Sequence, residues 1–108
     1  MTSTHRAVLI GGVLLSLLSA GASSMPSSGR STKAGKVIFD ESCATCHETD
    51  SMVRKVGPGL KGYFSTHRPR PTDQGVRQLI EKGAGTMPPF PNFDSHQMQE
   101  LIDYLRTL

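Results

Sequence analysis

The chain has 108 residues, a length that fits one small domain. Only 36% of the residues are hydrophobic, with two tyrosines, four phenylalanines and no tryptophan, so its own side chains supply little material for a large core. A net charge of +3, with no basic stripe or tail, argues against nucleic-acid binding. This composition favours a fold that is completed by a bound apolar cofactor.

The N-terminal part of the chain has the pattern of an export signal. An uncharged apolar run over residues 7–20 follows Arg6 and is short for a membrane span, and small residues predict cleavage after Ala22. We therefore interpret residues 1–22 as a signal peptide. If the apolar run is extended to Ala22, it could instead be an N-terminal membrane anchor. Either interpretation predicts export to the periplasm. Residues 23–32 are rich in Ser, Pro and Gly and predict a flexible leader, so the domain is expected over residues 33–108.

A first helix is predicted over residues 33–42. Its apolar residues recur at helical spacing, and the helix leads directly into the next motif. Gly35 costs about 1 kcal/mol relative to Ala inside a helix. A second backbone is therefore expected to approach the helix at Gly35.

The segment Cys43-Ala44-Thr45-Cys46-His47 follows this helix and is the C-x-x-C-H pattern of covalent haem attachment. In that chemistry the two thiols form thioethers with the haem, and His47 is the proximal iron ligand. Three alternatives compete with haem. A closed structural zinc site needs four ligands, and the chain has no third cysteine. A thioredoxin-like redox pair needs a strand and helix context that the sequence does not show. A local disulfide would leave His47 unexplained.

Residues 48–70 show no sustained periodicity and are predicted to be a loop. We predict that the Pro58 carbonyl accepts a hydrogen bond from Nδ1–H of His47, although turn chemistry alone would also explain this proline. The loop contains basic residues and no acid between Ser51 and Thr72. They form either a solvated face or a rim that steers an acidic redox partner. The residues are Arg54, Lys55, Lys61, Arg68 and Arg70.

A second helix is predicted to begin after Thr72, its N-cap, and to end at Gly83, with Val76, Leu79 and Ile80 on its inner face. Met87 follows in a loop framed by glycines and prolines, where core packing does not explain it. We interpret its sulfur as the distal iron ligand. The other candidates for this position are Met52, Met98, His67 and His96.

The last helix has the clearest signals. Asp94 and Gln97 form the pattern of a capping box, and Arg106 is placed to complement the C-terminal end of the helix dipole. We expect this helix to cross the first one near Gly35, with Phe39 and Tyr104 at the contact. Its predicted buried stripe consists of Met98, Leu101, Ile102, Leu105 and Leu108.

These motifs, in this order, resemble those of the small class I monohaem cytochromes c over residues 33–108. The resemblance implies an all-α fold in which the N- and C-terminal helices cross around one covalent haem c. It also implies that the protein is an electron carrier rather than an enzyme, and that exported or membrane-bound redox proteins, some with acidic docking faces, are its partners. The implied cofactor-binding residues are Cys43, Cys46, His47, Pro58, Leu60 and Met87, with His47 and Met87 on the iron.

Two other functions stay open at this point. The chain fits the haem c subunit of a larger exported dehydrogenase or sulfur-oxidising complex. It also fits a gas-binding or peroxidase-like haem protein, if the bond from Met87 to the iron is labile.

Overall fold

The computed structural model describes Gly21 and residues 28–108. They form four helices: α1 (Ser28–Ser42), α2 (Tyr63–Thr66), α3 (Asp73–Lys82) and α4 (Ser95–Leu105). The described residues contain no strand, and the one isolated bridge among them pairs Ala84 with Met87. The predicted all-α fold is therefore confirmed. The predictions for residues 1–20 and 22–27 lie outside the described residues. No helix within the described ranges is both long and apolar enough to cross a bilayer.

Helix α1 begins at Ser28 and not at Lys33, where the apolar pattern starts. The hydroxyl of Ser31 donates a hydrogen bond to Oδ2 of Asp103 in α4, at 2.6 Å. A polar contact between helices gives no periodic apolar signal, so the sequence pattern missed this first turn. Residues 28–32, predicted to be a flexible leader, are helical.

The packing of α1 against α4 forms the core. A Cβ added to Gly35 would overlap the Glu100 carbonyl and lie 2.7 Å from Cβ of Tyr104, so the two backbones approach closely at this glycine. The rings of Phe39 and Tyr104 pack at 5.7 Å between centroids. The predicted contact near Gly35 is therefore present. The core consists of Phe39, Val76, Ile80, Met98, Leu101, Ile102 and Leu105.

The predicted caps of α3 and α4 are confirmed. The Thr72 hydroxyl accepts a hydrogen bond from the Gly75 N–H at 3.0 Å, and α3 ends at Gly83. Asp94 accepts from the backbone N–H of Gln97, whose side chain accepts in return from the Asp94 N–H. These bonds satisfy N–H groups that have no partner inside the helix, which fixes both helix starts.

Arg106 is the C-cap of α4, the helix end at which it was predicted to act, and it also makes contacts that were not predicted. Its Nε donates to Oδ1 of Asp73 at 2.8 Å, and its guanidinium lies over the Phe64 ring at 4.4 Å from the centroid. Since Asp73 is in the first turn of α3, Arg106 connects the end of α4 to α3 and to α2.

Helix α2 interrupts the segment that was predicted to be entirely loop. Gly62 precedes it in the left-handed conformation, with φ of 66°. The Gly62 carbonyl accepts bonds from the Ser65 and Thr66 hydroxyls, while its N–H donates to the Leu108 carbonyl at 2.8 Å. Local side-chain bonds and a contact with a residue far along the chain thus stabilise a helix of only one turn.

Candidate functional site

A cleft of about 430 Å³ opens between the turn that follows α1, the loop after it, α3 and the loop after α3. That volume falls within the roughly 300–1,000 Å³ typical of cofactor sites. The walls are mainly apolar. The floor is formed by Phe39, Leu101 and Leu105, and the walls include Leu60, Val76, Leu79, Ile80 and Phe90.

The attachment motif lies at one side of the cleft because α1 continues into it as a turn. The N–H of Cys43 donates to the Phe39 carbonyl at 2.8 Å, and the N–H groups of Cys46 and His47 both donate to the Cys43 carbonyl at 3.0 Å. The two cysteines form no disulfide with each other, and both of them and His47 line the cleft. Burial, followed by the nearby Cys46, raises the pKa of the Cys43 thiol to about 11, so Cys43 stays protonated at neutral pH.

The His47 ring is held on two sides. Its Nδ1 donates to the Pro58 carbonyl at 2.8 Å, which is the contact predicted from the sequence. Gly57 lies against the ring, since a Cβ at that position would come within 2.5 Å of Cε1. With Nδ1 occupied, Nε2 is the nitrogen left to bind a metal.

Met87 lines the same cleft from the loop after α3. Its N–H donates to the Ala84 carbonyl at 2.9 Å, and its carbonyl accepts from the Ala84 N–H at 3.2 Å. The exit of the loop is tied to α3, because the Phe90 N–H donates to the Ile80 carbonyl at 2.8 Å. Backbone bonds on both sides therefore fix the backbone from which the Met87 side chain extends.

The other candidate iron ligands do not line the cleft. Met98 is fully buried in the core, and Met52 is 63% exposed. His67 stacks on Tyr63, with 4.4 Å between ring centroids, and His96 lies beside Glu100 at 3.5 Å. All six predicted cofactor-binding residues do line this cleft: Cys43, Cys46, His47, Pro58, Leu60 and Met87.

The predicted basic rim divides into separate groups. Of its five residues, Arg54 alone lines the cleft. Nζ of Lys55 lies 3.6 Å from a carboxylate oxygen of Glu48 and is already engaged. The remaining three, Lys61, Arg68 and Arg70, are exposed elsewhere.

Sequence reasoning missed two parts of the cleft lining. Tyr63 belongs to α2, which was not predicted, and Leu101 and Leu105 were assigned only to the packing between helices. Leu79, predicted to be on the inner face of α3, is 37% exposed because it faces the open cleft. The apolar face of α4 is wide in the sequence, and this width indicates that the helix lines the cleft as well as the core.

The model of the family described as cytochrome c oxidase, cbb3-type, subunit III matches residues 30–105. The chain belongs to this family. It is a small monohaem c-type cytochrome, which confirms the resemblance drawn from the motifs, and it carries haem c covalently. No curated protein and no solved structure matches the chain.

The residues of the cytochrome fit this cofactor. A covalent haem requires two cysteines that are not in a disulfide, an oriented imidazole and an apolar cleft, and this chain supplies all three. When bound, haem supplies an iron that takes up and releases one electron, and the domain serves haem-based electron transfer. Apart from those walls, the protein contributes the cysteines for attachment, an oriented His47 imidazole and exclusion of water.

Proposed function

We propose that the cytochrome is an exported carrier of one electron, with His47 and Met87 as the axial ligands of its haem iron. The observation that carries this proposal is that His47 and Met87 line one cleft, while the competing histidines and methionines do not. A thioether is a soft ligand that favours the ferrous state and raises the reduction potential. The apolar walls act in the same direction, because they disfavour the additional positive charge of the ferric centre.

Two protein ligands would leave no iron position open for a substrate. This supports electron carriage over catalysis and over gas binding. Export follows from the signal pattern of residues 1–22, and the periplasm is the proposed compartment.

The test is the optical spectrum of the purified exported protein in both redox states, with and without carbon monoxide. We expect a low-spin, six-coordinate haem in both states and no change when carbon monoxide is added to the ferrous protein. The haem should remain with the chain after denaturation, and the intact mass should show cleavage after Ala22. A high-spin spectrum or ready carbon monoxide binding would instead favour the gas-binding or peroxidase-like function.

We also propose that partners dock at the mouth of the cleft, on a surface formed by residues 52–56. Met52, Val53 and Val56 are 63%, 72% and 57% exposed, an unusual run of large apolar side chains in contact with water. Arg54 lies among them at the cleft, and no acidic residue within the described ranges pairs with it. A partner that fits this surface has an apolar centre and an acidic residue opposite Arg54.

Arg54→Glu tests the charge at this surface. We expect the ferrous protein to react roughly threefold or more slowly with the anionic oxidant hexacyanoferrate(III), because the local field is reversed. The reaction with a neutral oxidant should be unchanged, and the difference should shrink at high salt. Arg70→Glu makes the same charge change away from the cleft and is the matched control. Equal slowing in both variants would mean that net charge, not this surface, governs encounter.

A second candidate function is that of a haem subunit in a larger complex. The family is described as a subunit of a cbb3-type oxidase, and the exposed apolar side chains of residues 52–56 fit a permanent interface as well as a transient one. The dehydrogenase and sulfur-oxidising complexes suggested from the sequence remain proposals of the same class. Copurification of a catalytic chain with the cytochrome at high salt would favour this function.

A further inference from the structure

Lys55 makes contacts that a simple surface cation would not make. Its Nζ donates to the Ala44 carbonyl at 3.2 Å, inside the attachment motif, and lies 3.6 Å from Oε1 of Glu48, just after that motif. Its backbone N–H donates to the Gly57 carbonyl at 3.0 Å. One residue therefore joins the turn at residues 43–47 to the loop at residues 55–58.

That loop is the part of the chain that orients His47. The Gly57 N–H donates to the Cys46 carbonyl at 2.8 Å, Gly57 lies against the imidazole, and the Pro58 carbonyl accepts from Nδ1. Any movement of Gly57 or Pro58 relative to the turn changes the surroundings of the ring. Lys55 bonds both sides of this arrangement.

We propose that Lys55 is a positioning residue, which anchors the loop of Gly57 and Pro58 to the attachment turn and thereby fixes the orientation of the His47 imidazole. This role differs from the partner-steering role considered for Lys55 in the basic rim. This inference rests on one part of the proposed function, which is that His47 binds the iron.

The size of the effect is limited by exposure. The side chains of Lys55 and Glu48 are 45% and 43% exposed, so water and salt weaken their attraction. We therefore expect a shift in local opening rather than loss of the fold. An exposed contact of this kind corresponds to roughly a two- to fivefold change in the population of the opened loop.

The experiment uses the full holoprotein and the amide hydrogen exchange of Gly57, measured by NMR in the diamagnetic ferrous state. Lys55→Met and Glu48→Gln should each speed the exchange of this amide by roughly two- to fivefold. Lys55→Arg should restore most of the protection. Lys61→Met is the matched control, since the Lys61 side chain makes no hydrogen bond or ion pair with the described residues, and it should leave the exchange unchanged.

The reduction potential separates positioning from charge. If Lys55 acted only through its charge, Lys55→Met and Glu48→Gln would move the potential in opposite directions. Because both loosen the same loop, we expect both to move it in the same direction. Opposite directions, or Gly57 exchange no faster in Lys55→Met than in Lys61→Met, would overturn the proposal. If Met87 does not bind the iron, carbon monoxide in its place keeps the ferrous haem low-spin and diamagnetic. The exchange of the Gly57 amide can then be measured in either case, so this result remains separate from a failure of the proposed ligand set.

Discussion

We expect Met87→Ala to abolish the near-infrared band of a thioether bound to ferric iron and to lower the reduction potential. The fall should be on the order of 100 mV or more, within the ~0.8 V range over which axial ligands set haem potentials. The sign follows from the ligand, because removing a soft sulfur removes the preference for the ferrous state. The ferrous variant should also bind carbon monoxide, since one iron position becomes open.

Met52→Ala is the matched control for this substitution. Met52 is exposed and does not line the cleft, so its loss should leave the band, the potential and the response to carbon monoxide unchanged. Optical titration of both variants against redox mediators measures all three quantities. The ligand assignment is wrong if Met87→Ala keeps the band, or if Met52→Ala loses it.

We expect Gly35→Ala to destabilise the holoprotein by about 2 kcal/mol, although alanine is the better helix former by about 1 kcal/mol. The added methyl group would overlap the Glu100 carbonyl, and a backbone atom inside a helix cannot turn away as a flexible side chain can. Helices α1 and α4 must then separate, which loosens the packing of Phe39 against Tyr104.

Gly75→Ala supplies the control, because Gly75 is also within a helix. A Cβ there would meet only the Thr72 hydroxyl, at 3.2 Å. The result should lie between no change and a gain of about 1 kcal/mol in the free energy of unfolding. Urea unfolding of both variants, followed by circular dichroism, gives the comparison. A similar effect of the two substitutions would show that helix propensity, and not the contact between α1 and α4, decides the role of Gly35.

The features that could be predicted from the sequence are those that nearby residues determine. The capping box of Asp94 and Gln97 and the N-cap at Thr72 each involve side chains within one helical turn. Gly35 is a partial exception. Glycine destabilises a helix relative to alanine, which indicated that another backbone comes close at Gly35. The strong apolar face of the last helix indicated that this backbone belongs to α4.

The features that were missed depend on residues far apart in sequence. Helix α2 is supported by the bond from Gly62 to Leu108, and α1 is extended by the bond from Ser31 to Asp103. The bond from Arg106 to Asp73 likewise joins distant parts of the chain. The same limit applies to the cleft. Six residues of the cleft lining were predicted from the sequence. Only the folded chain shows that Arg54 lines the cleft, whereas the Lys55 side chain lies beside Glu48.

The packing of α1 against α4 also determines the order of events during biogenesis. Phe39 and Leu101 belong to the first and last helices, so the core cannot close until almost the whole domain is available to fold. Contacts of such high sequence separation carry a large loop-closure entropy and form late in folding. Until then Cys43 and Cys46 remain in an open chain, where both thiols are accessible. The topology thus leaves the segment of residues 43–47 unpacked until α4 is present to close the core.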